Sequence, residues 1–415
     1  MFLKLAIKSV LNRRVSALLT VMAIAVGIFV LLGVEQLRTQ ARENFTNTVS
    51  GVDLIVGART GSINLLLYSV FRVGAPTNNI TWQSYQEIAS QPDVEWAVPV
   101  SLGDSHKGYH VVGTTTDYFE YFSYASQHRL TFEQGGPFSA TLDVVLGAEV
   151  AARLDYALGD ELVLAHGVAS TRFSQHDNAL FRVVGVLDAT GTPIDQTLFV
   201  DVQGIEAIHS GWRQGVKLPS ARISPFTLAQ SVREPETITA FLLGLKSRMS
   251  TFRVQRQINN YAKEPLLAIL PGVTLAELWQ TMALLEHALR LISGLVLLAS
   301  VLGLSAMLLA SIREREREIQ LLRIIGAPPL FLFLLIELEA LLIALLGIAM
   351  GVLGLWVCLL LLDDFLMDKL GLHLPVEVLS PEQLLALLLV ILATVTAAAI
   401  PSFSAYRSAN LAQAS

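Results

Sequence analysis

One stretch of the sequence constrains the fold more than any other. Residues 291–312 carry no charged side chain, and as a helix they are long enough to cross a hydrocarbon core, which takes about 20 residues. Residues 313–318 then alternate basic and acidic side chains, which are costly to place in lipid. Apolar residues return at helical spacing over 319–325, and the prolines at 328–329 end that pattern. The sequence therefore predicts a membrane span that leads directly into a short cytoplasmic helix within residues 313–329.

Three more apolar segments are long enough to span a membrane. They cover residues 15–34, 330–362 and 384–403. The whole chain is 53% hydrophobic and only 15% charged, whereas about a quarter of the residues in a soluble protein are charged. Small residues four apart, as in Gly347 and Gly351, would let such helices approach closely. We expect an integral membrane protein with four transmembrane helices.

The basic residues predict the orientation of these spans. Lys and Arg accumulate in short cytoplasmic flanks, and here they precede the first span, follow the second and follow the fourth. The loop at 363–383 is instead acidic, so we place it outside. Residues 1–14 predict a cytoplasmic amphipathic helix lying along the membrane surface, and 404–415 form a cytoplasmic tail. Both termini are thus expected in the cytoplasm.

The long segment between the first two spans predicts a separate folded domain. Residues 15–49 and 275–312 each combine a span with a polar-apolar helical extension, which we interpret as two stalks. Between them, residues 50–274 alternate short strand patterns with short helices. The predicted fold is an α-helical membrane protein with four transmembrane helices and a large α+β extracytoplasmic domain inserted between helices 1 and 2.

The charged segment carries a family resemblance. The pattern Glu314-Arg315-x-Arg317-Glu318-Ile319-x-Leu321-x-Arg323-x-Ile325-Gly326-Ala327 resembles the cytoplasmic signature of MacB-type ABC permeases, the group that includes FtsX, LolC and LolE. Segments 144–160 and 181–200 are similar to strand and turn elements of the family's periplasmic domain. The resemblance implies a chain in the bacterial inner membrane, with an outer subdomain at about 116–236. It also implies that a cytoplasmic coupling helix contacts a separate ATPase. The residues expected at that contact are Glu314, Arg315, Arg317, Glu318, Arg323 and Gly326.

Motifs for catalysis are missing from the sequence. No G-x-x-x-x-G-K-[ST] pattern occurs, so ATP and Mg²⁺ are expected in the partner ATPase, and this chain is expected to need no cofactor and to be no enzyme. His106 and His110 have a spacing seen among zinc ligands, but the sequence favours ordinary loop histidines, and we predict no metal site.

Two features leave alternatives open. Leu66 and Phe71 lie in a compact apolar run, which is either a short helix buried in the outer domain or a surface that meets membrane or substrate. Glu337 and Glu339 fall within the predicted third span, where they either mark the cytoplasmic interface or take part in coupling or a proton path.

The function that these patterns favour is that of a permease subunit of a MacB-type ABC transporter. It would pass the ATP-driven motion of an ATPase dimer to the outer domain, for export or extraction of a peptide, lipid, lipoprotein or drug. A second copy or a related permease, membrane lipids and a periplasmic adaptor or binding protein are the other expected partners; nucleic acid is not, given the net charge of -6. The alternatives are a non-ABC receptor or scaffold, including one that regulates a hydrolase, and a secondary transporter. The latter is disfavoured because three spans carry almost no charge.

Overall fold

The structure is a computed structural model that describes residues 2–48, 50–125, 127–166, 179–209, 212–213, 216–217, 234–314, 328–370 and 380–411. The chain divides into two compact units. The membrane unit contains Met1–Ala41, Met282–Asp368 and Leu374–Ser415, and the outer domain consists mainly of Arg42–Thr281.

Helices and strands alternate in the middle of the chain, and the described residues at its two ends are helical. The helices are α1 (Phe2–Asn12), α2 (Arg14–Thr48), α3 (Ser62–Val70), α4 (Trp82–Ala89), α5 (Asp117–Tyr121), α6 (Ala148–Leu154), α7 (Val202–His209), α8 (Thr251–Asn259), α9 (Pro271–Glu314), α10 (Pro329–Leu370) and α11 (Pro381–Leu411). The strands are β1 (Leu54–Ala58), β2 (Ile80–Thr81), β3 (Val94–His106), β4 (Tyr109–Thr114), β5 (Ser123–Tyr124), β6 (His128–Arg129), β7 (Phe132–Gly135), β8 (Asp143–Leu146), β9 (Glu161–Leu162), β10 (Ala165–His166), β11 (Phe181–Leu187), β12 (Thr197–Asp201), β13 (Trp212–Arg213), β14 (Val216–Lys217), β15 (Thr237–Ile238), β16 (Ala240–Leu245) and β17 (Leu266–Ile269). Short 3₁₀ turns occur at Pro193–Gln196 and Arg248–Ser250.

Four described helices are long and apolar enough to cross a membrane. The qualifying segments are Arg14–Gln40, Pro271–Ala310, Phe333–Leu361 and Gln383–Ile400. They lie in α2, α9, α10 and α11, and each includes most of a predicted span. The prediction of four transmembrane helices, one before the outer domain and three after it, is therefore confirmed at the level of length and composition.

The outer domain is built on one large mixed sheet. Its 11 strands follow the order β17-β1-β16-β3-β4-β12-β8-β11-β7, with β10 beside β3 and β9 beside β11. The long strand β3 joins two halves, because residues 94–100 pair with β16 while Ser101–His106 pair with β4. Within the part that pairs with β4, the register shifts between Leu102 and Ser105, next to Gly103, whose φ of 141° is reached easily only by glycine.

This continuity bears on the expected outer subdomain at 116–236. Strand β4 precedes residue 116, yet it pairs in parallel with β12, which lies inside the expected insertion. Strands β8 and β11 also pair in parallel, and apolar residues from all of them are buried together. Strands on both sides of residue 116 thus share one sheet and one buried cluster, and the outer subdomain at about 116–236 stays a prediction.

Candidate functional site

The predicted coupling segment lies between two described helices. Helix α9 ends at Glu314, and α10 begins at Pro329. In the first turn of α10 the backbone N–H of Phe331 donates to the carbonyl oxygen of Pro328 at 2.9 Å. Proline suits the first turn of a helix because the N–H that it lacks has no helical partner there. The other residues expected to contact an ATPase lie outside the described residues, so their role stays a prediction: Arg315, Arg317, Glu318, Arg323 and Gly326.

Helices α2 and α9 pack side by side in opposite directions. The Ser300 hydroxyl donates to the carbonyl oxygen of Ala23 at 3.0 Å, and a Cβ atom on Gly27 would lie 3.4 Å from the Ser300 oxygen. Two helical turns further out, the helices are joined by charged side chains. Arg38 lies 2.9 Å from Glu35 and 3.6 Å from Glu286, and Arg290 lies 3.5 Å from Glu35. The two helices thus stay in contact over several turns, as the predicted pair of stalks requires.

Helices α2 and α10 pack in the same direction and approach unusually closely. A Cβ atom on Gly347 would lie 2.7 Å from the Cβ atom of Ile24, and one on Gly351 would lie 2.7 Å from the backbone oxygen of Ala25. Both distances are shorter than real Cβ contacts, so only glycine fits without a shift. The predicted close approach at Gly347 and Gly351 is therefore found within one chain.

Helix α11 is attached to both neighbours by polar contacts. The side-chain amide of Gln383 donates to the Oε1 atom of Gln36 at 2.9 Å, and both residues are buried. The Ser305 hydroxyl of α9 lies 3.3 Å from the carbonyl oxygen of Ala397. Such bonds in an apolar bundle favour one relative placement of the helices, because an unmatched polar group there is costly.

Glu339 faces a basic residue at the start of the first span. The Arg13 guanidinium, at the break between α1 and α2, lies 3.9 Å from a carboxylate oxygen of Glu339. Their side chains are 15% and 6% exposed, so the pair is largely buried. Glu337 lies two residues earlier on α10 and is in no ion pair among the described residues. Because Arg13 directly precedes the apolar run of α2, this contact places Glu339 beside the beginning of that run.

Leu66 and Phe71 are core residues of the outer domain. Leu66 is 1% exposed and Phe71 is 7% exposed, and both pack in the cluster that includes Ile55, Val98 and Phe199. Their burial supports the first alternative, a short helix buried in the outer domain, where α3 packs against the sheet. The alternative of contact with membrane or substrate is not supported, because neither side chain reaches the surface of the domain.

His106 is held by protein atoms on both ring nitrogens. Its Nδ1 lies 2.7 Å from the carbonyl oxygen of Val163, and its Nε2 lies 2.9 Å from the Tyr156 hydroxyl. Burial lowers the pKa of the His106 imidazole, so the neutral form is favoured. Burial, and then the nearby Arg72, likewise lower the pKa of His110. A structural role accounts for His106, and the described residues contain no cluster of three or more metal-binding side chains.

The sequence reasoning missed an exposed apolar pair on the outer domain. Met249 is 92% exposed and Phe252 is 71% exposed, at the start of α8. Phe252 borders an open groove that is also lined by Trp96, Leu270 and Val273. The helical spacing of the buried Thr251, Val254 and Ile258 puts Phe252 off the buried stripe, and that signal could have identified it.

Comparisons with known proteins agree with this architecture. The family model described as the MacB-like periplasmic core domain matches residues 17–261, and the one described as the FtsX-like permease C-terminal matches residues 290–411. No curated protein sequence matches the chain. Among solved structures, the periplasmic region of MacB from Actinobacillus actinomycetemcomitans is 11% identical with a TM-score of 0.35, covering 57% of this chain and 94% of that one. The extracellular domain of the noncanonic ABC-type transporter YknZ from Gram-positive bacteria is 11% identical with a TM-score of 0.32, covering 52% and 98%. Because the first model spans more than half of the sequence and the second most of the remainder, the chain belongs to the family of membrane permeases with a MacB-like periplasmic core domain and an FtsX-like C-terminal region.

Proposed function

We propose that this chain is the permease subunit of an ABC transporter and acts as a mechanical transmitter. A separate ATPase dimer would close on ATP and move the coupling segment at 313–329, and the helices would carry that movement to the outer domain. The substrate would be exported or extracted on the outer side. The chain itself would hydrolyse no ATP, because its sequence has no phosphate-binding loop.

The observation that carries this proposal is the unbroken helix α9. It contains 44 residues, or about 66 Å at 1.5 Å per residue, whereas a bilayer core is about 30 Å thick. One end of α9 leads into the predicted coupling segment, and the other end follows strand β17 of the outer domain. A continuous helix carries displacement along its axis with little loss, because its backbone hydrogen bonds form one uninterrupted series. Its contacts with α2 stiffen the pair further.

The test is association with an ATPase. The full chain, purified in mild detergent from its native membrane, is expected to bring down an ABC ATPase. Reversing the charges of Glu318 and Arg323 is expected to abolish that association, since both lie in the predicted coupling helix. The control is reversal of the charges of Glu95 and Arg256, two exposed residues of the outer domain. Like the first double reversal, it leaves the net charge of the chain unchanged.

A receptor or scaffold is the competing function. It predicts that the intact chain brings down a cytoplasmic protein other than an ATPase, or that the Glu318 and Arg323 reversals leave the ATPase bound. Either result would contradict the transmitter function. A second permease copy, a related permease or a periplasmic adaptor in the same preparation would identify the remaining partners.

A further inference from the structure

The first ten residues of α10 come before Glu339, the residue that contacts Arg13 at the beginning of α2. Contacts between the two helices advance together: Arg13 meets Glu339, Ile24 meets Gly347 and Ile28 meets Gly351. Residues 329–338 therefore form about 15 Å of helix ahead of the Arg13–Glu339 pair, at 1.5 Å per residue. This part of α10 follows the predicted coupling segment directly in sequence, so any displacement of that segment reaches Glu339 before it reaches the packed glycines.

The Arg13–Glu339 pair is also the point where α1 turns into α2. Helix α1 ends at Asn12 and α2 begins at Arg14, with the Arg13 backbone N–H bonded to the carbonyl oxygen of Val10 at 3.1 Å. On α1, Ala6 and Ser9 are buried, so this helix packs against the membrane unit through its small residues. Arg13 therefore lies at the turn from which α2 starts.

Burial makes the pair hard to separate. Both charges lie in a poorly solvated place, so reversing the sign of either costs more there than at a solvent-exposed ion pair. At 3.9 Å the contact is an ion pair and not a hydrogen bond, so its attraction persists through small shifts of either helix even though a buried ion pair adds little net stability.

We propose that the Arg13–Glu339 pair couples α10 to the start of α2, so that movement entering at the coupling segment displaces both helices together. Arg13 and Glu339 are positioning residues: they contact neither ATP nor substrate and act through the helices that they hold. This inference rests on the proposed function. It adds a link between the coupling segment and the first span, two parts of the chain that are far apart in sequence.

The experiment measures the distance between α2 and α10 with and without ATP. Spin labels are placed on Val15→Cys and Leu334→Cys, which are 67% and 47% exposed and lie on the coupling-segment side of the packed glycines, near the pair. Cys358, the one cysteine of the chain, is first replaced by alanine. Labelled chain is mixed with an excess of unlabelled chain, so that only the distance within one chain is measured. The full chain, in complex with the ATPase that it retains, is then expected to give a single narrow distance distribution in both nucleotide states, because the helices move together.

Charge changes at the pair give the decisive comparison. Arg13→Glu and Glu339→Arg should each leave ATPase association unchanged, yet split the distance distribution when ATP is added. The double exchange should restore one population, which general destabilisation would not do. Glu339→Gln keeps the side-chain shape and serves as a second variant should either charge reversal fail to fold. Its distance distribution should also split when ATP is added. Glu337→Gln is the matched control on the same helix and should behave as the native chain.

Three outcomes would overturn the inference. The first is a single population in Arg13→Glu and in Glu339→Gln with ATP bound. The second is a double exchange that stays split although it is folded. The third is a split in the native chain itself. Loss of ATPase from the native chain would instead overturn the proposed function, and with it this link, so the two failures are distinguishable.

Discussion

Replacing Gly351 by alanine should weaken the packing of α2 against α10. The added Cβ would lie 2.7 Å from the Ala25 backbone oxygen and 2.8 Å from the Ile28 Cβ atom, and neither atom is the end of a flexible side chain. Overpacking of this kind typically costs about 1–3 kcal/mol. The alanine also gains up to about 1 kcal/mol of helix propensity over glycine, so the expected net destabilisation is about 0–2 kcal/mol.

The matched control is Gly354 on the same helix. There a Cβ atom would lie 3.8 Å from the Phe29 ring, which is ordinary contact, so Gly354→Ala should gain the propensity without the clash. The two variants should therefore differ by about 1–3 kcal/mol, or about 5- to 150-fold in the folded-to-unfolded ratio. Unfolding in mixed detergent and SDS micelles, followed by labels on α2 and α10, measures this contrast. Equal stability of the Gly351 and Gly354 variants would refute the close approach of the two backbones.

Three further perturbations test other parts of the structure. Leu66→Ala should destabilise the outer domain by about 2–5 kcal/mol because it leaves a cavity, whereas Met249→Ala should change stability by less than about 0.5 kcal/mol; thermal unfolding of the full chain compares them, and equal effects would contradict the assigned burial. A double-mutant cycle between Arg38 and Glu286 should give a coupling of at most about 1 kcal/mol that shrinks with added salt, since both side chains are partly solvated; a larger, salt-independent value would mean that they are buried in the assembled transporter. The folded-state pKa of His106 is lowered, so outer-domain stability should fall as pH drops from about 6.5 through that folded pKa, because the unfolded chain takes up the proton first. His106→Gln should flatten this part of the unfolding profile, and an unchanged profile would show that another group titrates.

Much of the fold could be predicted because the sequence signals were local. The absence of charge from residues 291–312 identified a span, and the prolines at 328–329 identified the start of α10. Strand β16 is a continuous apolar run that is buried on both faces, and β11 is apolar except for the exposed Arg182. These features depend on neighbours in sequence, so one chain suffices to find them.

Contacts between distant segments could not be predicted in the same way. Gly347 and Gly351 suggested close packing, but glycine is common in membrane helices and nothing in the sequence named α2 as the partner. Glu339 was visible as an acid within a span, whereas its pairing with Arg13 depends on the relative placement of two helices. Strand β3 likewise changes partner from β16 to β4 after Val100, and only the pairing of these distant strands reveals where.

The central claim is that one chain without its own nucleotide site reaches both sides of the membrane, and sidedness tests it most directly. In a background with Cys358 replaced by alanine, single cysteines are placed at Met249, which is 92% exposed on the outer domain, and at Arg317 in the predicted coupling segment. A membrane-impermeant maleimide should label Met249→Cys in cells whose outer membrane alone is permeable, and Arg317→Cys only after the inner membrane is opened. Labelling of both cysteines under the same condition would contradict the claim.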